Sequence, residues 1–325
     1  MIELPPWLQP AWDRLEAQVR GDRLPHALLV TGPEQSGKTT FATEFAASLL
    51  CSGGGQAPCG SCRQCLLVAA GTHPDLLVVT LEIIKDRESK QIRVEQVRDL
   101  IEWAMQTAQQ GGRKVCLIDP ADRMNIQASN ALLKCLEEPP ADTVICLVTA
   151  NPARLLPTLR SRCQRVECGL PSRSEAVNWL RNNSQVSMDA DLLIEVAGGV
   201  PLRAVSQVDE EYLKLRATIA SHLMPLVEGR GSPLGLAATL SKSDPDAVLE
   251  IFYQLVADSI TVTCGGSDSA RNTDLKDILE RFAGRVPLRT RYQLLDRIVE
   301  ARGLVAGTTN ANLQMLLEWV LLRIA

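Results

Sequence analysis

The chain has 325 residues, 46% hydrophobic and 22% charged, with mean hydropathy +0.01, an ordinary water-compatible composition long enough for two or three domains. A net charge of −4 and a pI near 5.6 exclude the global basic field of an autonomous nucleic-acid binder, although a local basic patch stays open. The opening "MIELPPWLQP" has no basic region followed by an apolar run, and no segment approaches about 18 uninterrupted apolar residues; a cytoplasmic chain with no membrane span is expected.

In chain order, "HALLVTG" is a short apolar run ending at Gly32 and predicts a buried strand. "GPEQSGKT", Gly32 to Thr39, then fills every fixed place of the phosphate-loop pattern. "GKTTFATEFAASLL" follows with Phe41, Phe45, Ala46 and Leu49 at helical spacing. Gly32 and Gly37 let backbone N–H groups turn toward phosphate oxygens, and the helix start, Thr40 included, adds a favourable dipole. Lys38 is expected to reach the outer phosphates of ATP or ADP, and Thr39 to ligate Mg²⁺.

The next segment, "CSGGGQAPCGSCRQC", spaces Cys51, Cys59, Cys62 and Cys65 as two overlapping Cys-x-x-Cys steps plus one cysteine across a glycine-rich turn. That pattern predicts a structural zinc site with four thiolates, one per chain; an iron–sulfur cluster is the competitor, and disulfides suit a reducing compartment less. The other six cysteines (Cys116, Cys135, Cys146, Cys163, Cys168 and Cys264) are expected to be small buried hydrophobes.

"DLLVVTL" predicts a second strand, "RVEQVRDLIEWA" a helix, "KVCLID" a third strand, "QASNALLKCLEEPP" a helix stopped by two prolines, and "TVICLVTA" a fourth strand. The third strand delivers Asp119 to its carboxyl end, where a carboxylate can support Mg²⁺. Pro120 follows where a hydrolase places the acid that activates water, so binding without efficient hydrolysis is expected. Asp122 is the nearest remaining acid. After about residue 166 the pattern turns helical, with cap candidates before "SRSEAVNWLRNN" and "DADLLIEVAGG". "CGGSDSARN" reads as a loop between helices, and the last helix carries Leu313, Leu316, Leu317, Val320, Leu321 and Ile324 on one face. The parse is an α/β parallel-sheet domain over 1–166 with a zinc module at about 51–65, a small helical lid over 167–207, and an all-helical domain over 208–325.

The phosphate loop, the four-cysteine insertion after its helix, "ASNALLKCLEEPPADTVICLVTANPARLLPTLRSRC" and the helical end resemble the bacterial clamp-loader ATPases of the AAA+ superfamily. Within that group "DPAD" is more similar to the δ′ class of DNA polymerase III subunits than to the τ/γ motors, which carry Asp-Glu there. The resemblance implies that Arg162, in "SRC", is an arginine finger for a neighbour's ATP, that Arg203 in "GGVPLRA" touches this chain's own nucleotide, and that Thr149 sits near a sensor position. It further implies a helical collar joining δ and τ/γ partners, acting on a sliding β clamp and primer-template DNA through the assembly. Polymerase chemistry would belong to the holoenzyme. The competing expectation is an active P-loop ATPase motor in a clamp-loader-like oligomer; a zinc-bearing DNA-binding module is a third, disfavoured by the acidic pI.

Overall fold

Non-alternating apolar runs become strands buried on both faces, as a parallel sheet requires. The protein is described from a computed structural model covering residues 4–84, 87–110, 112–183, 189–266, 270–306 and 312–324. It divides into two compact units, Met1–Pro171 and Ser172–Ala325.

In the first unit the strands are β1 (Ala27–Thr31), β2 (Leu76–Val79), a short antiparallel pair β3 (Ile83–Ile84) and β4 (Arg87–Glu88), β5 (Lys114–Ile118), β6 (Thr143–Thr149) and β7 (Gln164–Glu167). All but β3 and β4 form one parallel sheet in the order β2-β5-β6-β1-β7. Register brings Thr31 opposite Thr149 and Ile118 opposite Leu147, so β1, β5 and β6 end side by side. The carboxyl edge of such a sheet is where open α/β folds bind ligands.

The helices of this unit are α1 (Gln9–Arg20), α2 (Lys38–Leu50), α3 (Arg63–Ala69), α4 (Val94–Met105), α5 (Ile126–Glu137) and α6 (Pro157–Arg160). Alternate strand residues feed opposite faces. Leu28, Val30, Val115, Leu117 and Cys146 pack with Trp12, Phe41 and Phe45 from α1 and α2. Leu29, Cys116, Ile118, Ile145 and Leu147 pack with Val97, Leu100, Leu132 and Leu136 from α4 and α5. Trp12 meets Phe41 and Phe45 edge-on at centroid distances of 6.0 and 5.9 Å. Truncating a ring so placed, as in Phe41→Ala, costs about 3–5 kcal/mol. Helix α1 and strand β7 lie outside the elements that periodicity predicts. In β7 only Val166 is buried, which leaves an edge strand with almost no apolar signal.

The second unit is helical among the described residues: α7 (Arg173–Asn183), α8 (Ala190–Val196), α9 (Pro201–Ser206), α10 (Glu210–Val227), α11 (Pro233–Leu240), α12 (Pro245–Gly265), α13 (Lys276–Arg285), α14 (Leu288–Ala306) and α15 (Leu313–Leu321). One apolar cluster runs from Ala176 and Leu180 through Phe252 and Leu255 to Leu317 and Leu321. Ser172 and Glu175 form a reciprocal cap before α7, and the Asp189 side chain accepts from Asp191 N at the start of α8. In α15, Leu313, Leu317, Val320 and Leu321 are buried inside this unit, with Ile324 buried just beyond the helix. Helix α12 is long and apolar enough to cross a membrane by length and composition; 56% of that window is buried in the core. Residues 267–269 of the expected loop from Cys264 to Asn272 lie outside the described residues.

Of the six scattered cysteines, Cys116, Cys135, Cys146 and Cys168 are buried as expected and Cys163 is half-buried. Cys264 is exposed, against expectation, because it falls in the last turn of α12 beyond the apolar face.

Candidate nucleotide and metal sites

The phosphate loop joins the end of β1 to the start of α2. Gly37 caps the helix at φ 92°, a left-handed conformation that favours glycine. A Cβ on Gly32 would lie 2.3 Å from the Cys168 carbonyl oxygen and 2.8 Å from Ser36 Oγ, so only glycine fits there. Ser36 Oγ is buried with no hydrogen-bond partner among the described residues, and the Trp7 indole N–H donates to the Ser36 carbonyl at 3.0 Å. Lys38 is 9% exposed and its Nζ donates to the Pro33 carbonyl at 2.9 Å. Burial lowers its pKa, while Asp119 and then Glu34 pull the other way.

Thr39, the residue expected to ligate a cation, donates through Oγ1 to Asp119 Oδ2 at 2.6 Å. Asp119 is fixed at the end of β5 by its N–H donating to Val79 O at 3.0 Å. Burial raises its pKa; the Thr39 hydrogen bond and the Lys38 charge oppose that rise. Lys38, Thr39 and Asp119, predicted from separate parts of the chain, thus share one site. Thr40 lies in the first turn of α2 beside them.

Asp122 follows Pro120 by two residues and accepts a hydrogen bond from Thr149 Oγ1 at 2.6 Å. The Thr149 hydroxyl is fully buried and itself accepts from Asn151 N at 2.9 Å. Asp122 also exerts its charge on both Asp119 and Lys38, so its carboxylate belongs to the same electrostatic site. Thr149 reaches that site through Asp122.

The two predicted arginines pair with carboxylates that the sequence reading did not single out. Arg162, just after α6, pairs through Nη2 with Glu137 Oε1 at 2.6 Å and donates through Nη1 to Thr158 O at 3.0 Å. Its side chain is 36% exposed. Arg203 belongs to the second unit, where Nη1 pairs with Glu250 Oε1 at 2.8 Å; Arg302 holds the other Glu250 oxygen at 2.6 Å. Glu137, Glu250, Ser36 and Trp7 are partners that the sequence reading did not single out. Glu137 sits in the quoted "LEEPP", but no local spacing links it to Arg162.

The thiol sulfurs of Cys51, Cys59, Cys62 and Cys65 all lie within 4.8 Å of one another and fit one metal ion. Cys51 and Cys62 sulfurs are 3.9 Å apart, and those of Cys59 and Cys65 are 4.0 Å apart. Backbone N–H groups of Gly53, Cys62 and Cys65 point at the sulfurs of Cys51, Cys59 and Cys62, at 3.4, 3.3 and 3.4 Å. Hydrogen bonds from the Cys65 and Ser52 backbones pull Cys62 down to about 5, while burial pushes Cys65 up to about 12. A Cβ on Gly53 would come within 2.7 Å of Cys59 Sγ, which explains a glycine at that turn.

Two family profiles match the chain: "DNA polymerase III, delta subunit" over residues 7–169, and "DNA polymerase III, delta subunit, C terminal" over residues 210–325. DNA polymerase III subunit delta' of Pseudomonas aeruginosa is 33% identical, with 99% of this chain and 98% of that protein aligned. Its counterpart in Escherichia coli is 32% identical over 98% of this chain and 94% of its own length. DNA polymerase III subunit gamma/tau of Mycobacterium bovis is 32% identical over 60% of this chain and 34% of its own length.

Proposed function

Because the chain belongs to the family of DNA polymerase III delta' (δ′) subunits, we propose that it is the nucleotide-binding, hydrolysis-poor stator of a clamp loader in DNA replication. One observation carries the reading: Thr39 and Asp119 are joined in a cation-ready pair, and the next residue is Pro120. Lys38, Thr39, Thr40 and the loop glycines Gly32 and Gly37 hold the phosphates of ATP or ADP, and the Thr39 hydroxyl with the Asp119 carboxylate holds Mg²⁺. A cation held by these two residues would supply positive charge to offset that of the phosphates. Pro120 offers no side-chain acceptor to activate water. Asp122 has one oxygen engaged by Thr149, which weakens it as a substitute base.

Arg162 supplies a guanidinium in trans to ATP held by an adjoining τ/γ subunit, where it offsets charge on the transferred phosphoryl group. Arg203 serves this chain's own nucleotide, as the family resemblance implies. The segment 167–207 acts as lid and 208–325 as collar. Exposed Tyr292 and Val299 on α14, and Met315 on α15 with Leu322 just past it, each recur seven residues apart and suit packing against δ and τ/γ. Contact with the sliding β clamp and primer-template DNA follows through the assembly, in the cytoplasm. Polymerase activity belongs to the holoenzyme.

The metal of the cysteine cluster is zinc. A tetrahedron with Zn–S near 2.3 Å has sulfur–sulfur edges of about 3.8 Å, close to the 3.9 Å of Cys51–Cys62 and the 4.0 Å of Cys59–Cys65. Four protein thiolates leave no open coordination position, so its role is structural.

The isolated chain is expected to bind ATP in a Lys38-dependent manner, with no steady-state turnover above background, and to contain one zinc. Robust hydrolysis by the lone chain would overturn the stator reading. Metal analysis returning iron, or no metal, would overturn the zinc assignment.

A further inference from the structure

Arg162 reaches its position by two supports on different elements. Glu137 is the last residue of α5, a helix seated in the core by buried Leu132 and Leu136. Thr158 lies in α6, anchored by fully buried Leu159, and Arg162 N donates to Leu159 O at 3.1 Å. The guanidinium has five N–H donors. Glu137 Oε1 takes one on Nη2 and Thr158 O takes one on Nη1, which leaves Nε and one donor on each terminal nitrogen.

We propose that Glu137 is a positioning residue for Arg162: it braces one edge of the guanidinium so that the remaining donors face outward to a neighbour's phosphoryl group. The inference rests on the reading of Arg162 as a trans-acting finger. The alternative, in which Glu137 sequesters the arginine, fails on magnitude. An exposed ion pair biases a conformational equilibrium only about two- to fivefold, whereas an arginine finger accelerates hydrolysis on the order of a thousandfold or more. A pair that weak selects a rotamer but does not withhold the side chain from a phosphate. Because an oriented guanidinium acts on developing charge, losing the brace lowers kcat and leaves the KM for ATP unchanged.

The test uses the full chain reconstituted with δ and τ/γ subunits, reading kcat and KM for ATP together. Glu137→Ala is expected to lower kcat about two- to fivefold at constant KM. Glu137→Gln, which keeps a neutral acceptor of the same shape, restores much of the loss. In an Arg162→Ala background, Glu137→Ala has no further effect. An unchanged or raised kcat in Glu137→Ala, or an equal fall in the Arg162→Ala background, overturns the proposal. If Glu137→Ala fails to assemble, Glu137→Gln against Glu137→Lys carries the same comparison. A wild-type kcat in Arg162→Ala removes the finger reading and this inference with it, whereas an impaired Arg162→Ala beside an unimpaired Glu137→Ala removes this inference alone.

Discussion

Two cations of the first unit are held in opposite ways. Lys38 is 9% exposed, desolvated and turned back onto the Pro33 carbonyl inside its own loop. Arg162 is 36% exposed and braced from one side by Glu137. A desolvated ammonium gains strongly from an anion entering the same cavity and does nothing for a ligand outside it. A half-exposed guanidinium gains little at rest and keeps donors for another molecule. On the proposed reading, the phosphate loop receives an anion and the corner after α6 offers donors to a neighbour.

Separating the two by mutation breaks that contrast most directly. Arg162→Ala should lower hydrolysis at the adjoining site of the assembled complex on the order of a thousandfold, while this chain's own nucleotide affinity stays the same. Equal losses in both would show that the two cations serve one site. Lys38→Ala should do the reverse: own-nucleotide affinity, by calorimetry, falls about 10- to 100-fold, the worth of a charge-assisted hydrogen bond. Partner hydrolysis by the assembled complex should then stay near wild type.

The smallest effect is a pH dependence. Burial raises the Asp119 pKa, so the folded chain holds that proton more tightly than the unfolded chain does. Its contribution to stability is therefore fully present below the unfolded pKa and is lost as pH rises through the folded one. The proposed Mg²⁺-dependent nucleotide binding would need the carboxylate and would run the other way. Acidification through the raised pKa should weaken binding, by less than about tenfold per pH unit, while the thermal stability of the nucleotide-free chain gains from this group. Asp119→Asn should remove that component from both profiles; a profile identical to wild type would point to another group.

Much of the receiving pocket was legible because its parts are local. Eight consecutive residues carry the phosphate loop, and the strand before it and the helix after it announce themselves by apolar period. Asp119 was legible as the end of an apolar run, and the cysteine cluster by its spacing. Strand order was not, since a parallel sheet is assembled from runs that look alike. Strand β7 was missed because an edge strand with one buried residue has no period to detect. The giving corner was legible only through resemblance: Arg162 and Glu137 lie on opposite sides of β6 in the chain, and nothing local couples them. Arg203 and Glu250 meet in the same non-local way across the helices of the second unit.

The close approach of Gly32 to Cys168 has a mechanical meaning. Cys168 directly follows β7, its N–H donates to Thr31 O at 2.7 Å, and Arg162 stands two residues before that strand begins. One four-residue strand therefore has the phosphate loop at one end and Arg162, the proposed finger, at the other. At about 3.3 Å per residue it is a gauge rod of roughly 13 Å. A side chain at Gly32 would lengthen the fit at the loop end, and the strand, bonded in register to β1, has no slack along its length to absorb it. The offset between the two stations is thus set by backbone pairing, and it holds only while Gly32 carries no side chain.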